Sequence, residues 1–148
     1  MNGFKPTGIA LYSPKFKGKL CPLLFHRSNL KGLEIANMYD TFYKNTVLKY
    51  SDDLPAGIEI NSSISRIVFQ NLVNVKLDTR ILDPRVFAKI NRLEILLDIR
   101  WIQEDLFSSF LSLKSIFISN WRQIVHQQGI KWITYLNKNL NVNLSDST

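Results

Sequence analysis

The sequence is short of cysteine, glycine, histidine and long apolar runs, and each shortage closes off a class of chemistry. Cys21 is the single cysteine, so no internal disulfide and no cysteine-based zinc site can form within the chain. A small, partly buried thiol is its expected role. The six glycines, Gly3, Gly8, Gly18, Gly32, Gly57 and Gly129, are too scattered to build a phosphate-cradling loop. The two histidines, His26 and His126, each stand alone, with no carboxylate or second histidine at ligand spacing, so no metal is expected. No apolar run approaches the roughly 20 residues that span a bilayer. Met1 to Leu20 holds no continuous apolar segment of the signal-peptide type. With Met1 as the native start, the chain is expected to be intracellular, in the cytoplasm. The triplets Asn61-Ser62-Ser63 and Asn143-Leu144-Ser145 match the glycosylation pattern and matter only in a secreted chain.

Paired carboxylates are equally uninformative about catalysis. Glu104-Asp105 reads as a helix start, where acids favour the positive end of the helix dipole. Asp52-Asp53, followed by Leu54-Pro55-Ala56-Gly57, reads as a turn. No local constellation points to an active site, a cofactor or a small-molecule substrate, and the expectation is a non-catalytic protein.

What is present is an ordinary core composition. The 148 residues are 45% apolar and 21% charged, which fits a single domain over 1–148 with a sizeable core rather than a disordered chain. The net charge of +7 is uneven. Residues 1–50 hold eight Lys/Arg against Glu34 and Asp40, a balance of +6, whereas residues 51–148 balance at +1. A basic segment raises encounter rates with anionic partners and also keeps a chain soluble. Residues 1–28 are the least regular part, broken by Pro6, Gly8, Pro14, Gly18 and Pro22. Within them Lys15-Phe16-Lys17-Gly18-Lys19 alternates charge around one aromatic, and Leu23-Leu24-Phe25 is a short apolar run expected to dock on the next element.

The organising pattern lies between Phe69 and Ile118. Phe69, Leu72, Val75 and Leu77 follow at intervals of three, three and two, and so do Phe110, Leu113, Ile116 and Ile118. Ile90, Leu93 and Leu96 repeat the start, and Phe87 precedes Ile90 as Phe107 precedes Phe110. The copies recur about every 20 residues. Strands are expected at Asn74–Leu77, Leu93–Ile99 and Leu113–Ile118, with a further short one at Ile58–Ile60. Asp83-Pro84 reads as a capped helix start, and Trp101–Phe110 as a second helix. Trp121 to Gln128 continues at helical spacing, Gly129 interrupts, and Trp132, Ile133 and Leu136 resume. Leu140, Val142 and Leu144 alternate with asparagines as a last, polar-faced strand. Less regular segments are a helix at Met38–Lys44 and a strand at Val47–Tyr50. Trp101, Trp121 and Trp132 each sit at helical spacing with aliphatic residues and are expected in the core.

A strand carrying Leu-x-x-Leu-x-Leu, followed by a helical return, resembles the leucine-rich repeat family. The matching segments are Leu72-Val73-Asn74-Val75-Lys76-Leu77, Leu113-Lys114-Ser115-Ile116-Phe117-Ile118 and Leu30-Lys31-Gly32-Leu33-Glu34-Ile35. Asn37 and Met38 fall near the position where the family keeps an asparagine. The Leu93 copy departs, since Asp98 takes its third inward slot. The resemblance implies an α/β fold, a short solenoid with a parallel strand face and helical returns; a compact α+β domain is the alternative. It also implies that the strand face binds a protein partner. The residues between the inward ones would form that face: Asn74, Lys76, Ile95, Leu97, Ser115 and Phe117. The alternative function is a nucleic-acid-binding α+β module using Lys15, Lys17, Lys19, Arg27 and Lys31, with phosphates as the contacted groups.

Overall fold

The computed structural model describes residues 8–12, 21–36, 57–70, 75–96 and 99–145. The architecture is mixed α/β. Its strands are β1 Gly8–Tyr12, β2 Gly32–Ala36, β3 Arg66–Gln70, β4 Val75–Leu77, β5 Arg92–Leu96, β6 Ile99–Ile102, β7 Ser115–Ser119 and β8 Asn141–Ser145. Among the described residues the helices are few and short: α1 Pro84–Phe87, α2 Trp121–Gln128 and α3 Lys131–Thr134, with single 3-10 turns at Pro22–Phe25 and Leu106–Ser109.

Six strands make an open sheet in the order β1-β2-β3-β5-β7-β8, and β4 and β6 pair as a second, two-stranded sheet. Every pairing in the large sheet is parallel, and each of its strands lies beside the one laid down before it. Parallel crossovers are right-handed in about 98% of cases, so strands added always toward the same side carry their connections on one face. Burial follows that rule. The apolar side chains of the connections pack against one face of the large sheet, in one core that includes Phe25, Leu77, Phe87, Ile99, Ile102, Phe107, Ile124 and Trp132. Ring pairs tie connections together: Phe25 of the β1–β2 connection to Phe87 of the β3–β5 connection at 5.9 Å between centroids, and Phe107 to Trp132 of the next connection at 6.2 Å.

The pairing register explains why these strands form. Side chains alternate faces along a strand, and two apolar rows run across the sheet on its inward face. Ile9, Leu33, Ile67, Leu93, Ile116 and Val142 stand abreast in one; Ile35, Phe69, Ile95, Ile118 and Leu144 occupy the second. Entry into β3, β5 and β7 is built alike. The Lys31 carbonyl accepts from the Ser65 and Arg66 N–H groups at 2.8 and 3.0 Å, Ser65 from Asn91 and Arg92 at 2.8 and 3.1 Å, and Asn91 from Lys114 and Ser115 at 2.8 and 3.0 Å. Paired strands begin at residues 8, 32, 66, 92, 115 and 141, in steps of 24, 34, 26, 23 and 26, longer than the 20-residue recurrence read from the apolar spacing.

Several expectations hold. Asp83 caps α1, its carboxylate accepting from the Arg85 N–H at 2.9 Å. The helix at Trp121–Gln128 and the last strand at Asn141–Ser145 form. Others are corrected. Leu72-Val75-Leu77 does not supply a strand of the large sheet; Val75–Leu77 is β4, in the second sheet. The large-sheet copy is Ile64-x-x-Ile67-x-Phe69, and the next is Ile90-x-x-Leu93-x-Ile95, three residues ahead of the Leu93–Leu96 spacing. Trp101–Phe110 is not a helix: it holds the end of β6 and a 3-10 turn. A strand there lets β6 pair beside β4, a gain that local helical spacing does not register. Ile58–Ile60 is not a strand. Of Leu23-Leu24-Phe25 only Phe25 docks, the two leucines remaining half exposed. Cys21 is exposed rather than partly buried. The segments at Met38–Lys44 and Val47–Tyr50 lie outside the described residues. Among the described residues no helix is long and apolar enough to cross a membrane.

Candidate interaction face

The face of the large sheet opposite the core is built by the residues between the inward rows. One outer row runs Gly8, Gly32, Arg66, Arg92, Ser115, Asn141; the next runs Ala10, Glu34, Val68, Glu94, Phe117, Asn143. The inward rows are almost wholly aliphatic, whereas the outer ones mix charge, amide, hydroxyl and single apolar groups.

The centre of this face is an ion-pair cluster. Register sets Arg66 opposite Arg92, and like charges directly opposite repel. Glu94, two residues along β5 and on the same face, receives both: its Oε1 accepts from Arg66 Nε at 2.9 Å and from Arg92 Nε at 2.7 Å. The carboxylate is 14% exposed, and the two guanidinium side chains are 54% and 58% exposed. Burial raises the Glu94 carboxyl, but the hydrogen bonds and positive charges of Arg66 and Arg92 outweigh it and hold the group below its ordinary value. One strand over, Gln70 Nε2 donates to the Glu34 carboxylate. Beside the cluster stand the half-buried Phe117 and Leu96, and at the β8 edge Asn141 and Asn143 are exposed. Toward β1 the absent side chains of Gly8 and Gly32 leave a depression of about 460 Å³, flanked by Lys31, Glu34, Arg66 and Val68.

The residues expected on this face divide. Ser115 and Phe117 lie on it, half-buried. Ile95 does not: it is 1% exposed and in the core, because the same strand that turns Leu93 inward turns Ile95 inward two residues later. Lys76 is exposed but belongs to β4, so it stands on the second sheet. Asn74 and Leu97 lie outside the described residues, as do Lys15, Lys17 and Lys19. Arg27 and Lys31 are exposed; Arg27 sits in the left-handed region at φ 55° and its N–H donates to the Asn61 carbonyl at 2.8 Å. The sequence reading missed Arg66, Arg92 and Glu94. Period-two alternation from Ile67 and Leu93 would have found them, had those residues been taken as the inward ones.

Glu94 is committed to two cations, and among the described residues no group of three His, Cys, Asp or Glu could hold a metal ion. Compared with known proteins, the chain matches no family model, no curated protein and no solved structure.

Proposed function

We propose that the chain is a non-catalytic interaction scaffold, a short solenoid of leucine-rich-repeat type that binds a protein partner through the outer face of its large sheet. Support for the repeat reading comes from strands in chain order, matched apolar rows and the thrice-repeated carbonyl geometry at strand entry. One strand-and-return unit cannot bury its apolar face alone, and stacking shares the core among neighbours. The observation that carries the binding role is the make-up of the outer face: Phe117 and Leu96 beside a fixed Arg66–Glu94–Arg92 cluster. Aromatic and arginine side chains are the commonest anchors of protein interfaces, and Glu94 holds both guanidinium groups in place before a partner arrives.

The test is capture of partners from nuclease-treated lysate with wild type, Phe117→Glu, Arg66→Glu and Ile95→Glu. A protein partner retained by wild type and lost with Phe117→Glu and Arg66→Glu is expected, both variants still folding cooperatively, Phe117→Glu with wild-type melting and Arg66→Glu melting slightly lower because it gives up its ion pair with Glu94. Ile95→Glu should fail to fold, because it places a carboxylate in the core. Unfolding of Phe117→Glu would assign Phe117 to the core and sink the face as drawn.

A further inference from the structure

A second surface, on the two-stranded sheet rather than the large one, has a composition the scaffold reading does not use. β4 and β6 pair in parallel, with Val75 opposite Ile99 but Lys76 opposite Trp101, so the register slips by one residue at Arg100. A bulge of this kind re-aims side chains. Here strict alternation is broken: Ile99 and Ile102 are buried, while Arg100 and Trp101, adjacent in sequence, are both exposed. Trp101, expected in the core, is 36% exposed, whereas Trp132 is fully buried. With Lys76, Arg80 and Gln127 they line an open groove of about 640 Å³.

The charges in the groove are not equivalent. Arg80 is held by Asp78, its Nε and Nη2 donating to one carboxylate oxygen at 2.9 and 2.6 Å, and that pair is neutral. Gln103, also at the rim, is occupied: its Oε1 accepts from the Thr79 N–H at 3.2 Å and its Nε2 donates to Asp105 at 2.8 Å. Lys76 and Arg100 have no ion-pair partner among the described residues. Two cations therefore flank an exposed indole, and α2 contributes Gln127 to the lining of the groove.

We propose that this groove binds a phosphate joined to a flat ring, as in a nucleotide, with the phosphate on Lys76 and Arg100 and the ring stacked on Trp101. Cations alone would accept any anion. The indole beside them selects an anion with a π-face, since ring stacking on an exposed aromatic is sequence-tolerant and strong, and Arg matches phosphate oxygens with a planar fork. The same chemistry is offered by a free nucleotide and by a single strand. The site is independent of the outer face of the large sheet, so its failure leaves the scaffold reading standing, and the reverse holds.

The experiment is titration of the full chain with AMP and with a uridylate strand of about eight nucleotides, read by tryptophan fluorescence and by anisotropy of a labelled strand. Saturable binding with quenching is expected. Trp101→Ala should remove the quenching and weaken binding roughly tenfold or more. Arg100→Ala should lower the salt slope for the strand by about 0.7, the value for one lost phosphate contact. Gln127→Glu, an exposed helix position, should weaken binding with no change in melting, and Phe117→Glu and Lys114→Ala should leave it unchanged. Tighter, salt-dependent binding of the strand assigns a strand as ligand; equal binding of AMP assigns the free nucleotide. No saturable response to either, responses unaltered by the three groove variants, or equally effective competition by an oligoglutamate peptide would each overturn the proposal.

Discussion

Glu94 shows how a single side chain on the outer face links fold, charge and pH. Its carboxyl lies below the ordinary value in the folded chain because two guanidinium groups outweigh its partial burial. The unfolded chain therefore binds the proton more readily. The contribution of the cluster is complete above the unfolded carboxyl value of about 4.3 and is lost as pH falls through the lower folded value. At neutral pH it is about 1 kcal/mol, limited because both arginines are more than half exposed to screening solvent. Glu94→Gln should therefore melt below wild type at pH 7, and the gap should close as pH is lowered towards 3. Thermal melts across that range check this, and a gap independent of pH would refute it. Asp83 is a contrasting residue. Its cap on α1 was readable from Asp83-Pro84 because a cap is local, involving the Arg85 N–H two residues on. The hydrogen bond from Arg85 to the same carboxylate raises the arginine, burial opposes it more weakly, and the Asp83 charge adds a smaller rise.

Among elements, β6 owes its place to a side chain from α2. Gln128 Oε1 accepts from the Ile102 N–H at 2.6 Å, and Gln128 Nε2 donates to the Ile102 carbonyl at 2.7 Å. The amide thus does for β6 what a further strand would, satisfying both backbone groups of a buried residue. Gln128→Ala leaves them unpaired and should cost about 1–3 kcal/mol; Gln128→Asn, one methylene shorter, should not restore the loss. Urea unfolding midpoints test this, and an unchanged midpoint for Gln128→Ala would show that another group takes over. None of this is visible in helical spacing, which places Gln128 on a helix and leaves its partner unnamed.

In the whole molecule, support is unequal along the sheet. Among the described residues, β2, β3, β5 and β7 have a strand on each side, while β1 and β8 are edges with one neighbour each. Stability in a stacked array is close to a sum of units and nearest-neighbour terms, so local opening should be easiest at the edges. Amide exchange should be slowest at Ile67, Leu93 and Ile116 and faster at Ile9 and Val142. Protection at Val142 equal to that at Leu93 would contradict a neighbour-by-neighbour stack.

The sequence by itself determined the apolar rhythm, the α1 cap, the α2 helix, the final strand and the lack of a local catalytic motif, because each depends on residues a few positions apart. Leu30-Leu33-Ile35 and Leu113-Ile116-Ile118 both lead into strands of the large sheet. Only the tertiary structure decided which apolar triplets enter that sheet. Ile64-Ile67-Phe69 and Leu72-Val75-Leu77 have the same spacing, and pairing partners alone send one to β3 and the other to β4. Pairing also turned Ile95 into the core and drew Arg66, Arg92 and Glu94 together, and the bulge at Arg100 brought Trp101 out. Period-two alternation fixes which residues share a face, but contacts between strands decide which face is buried.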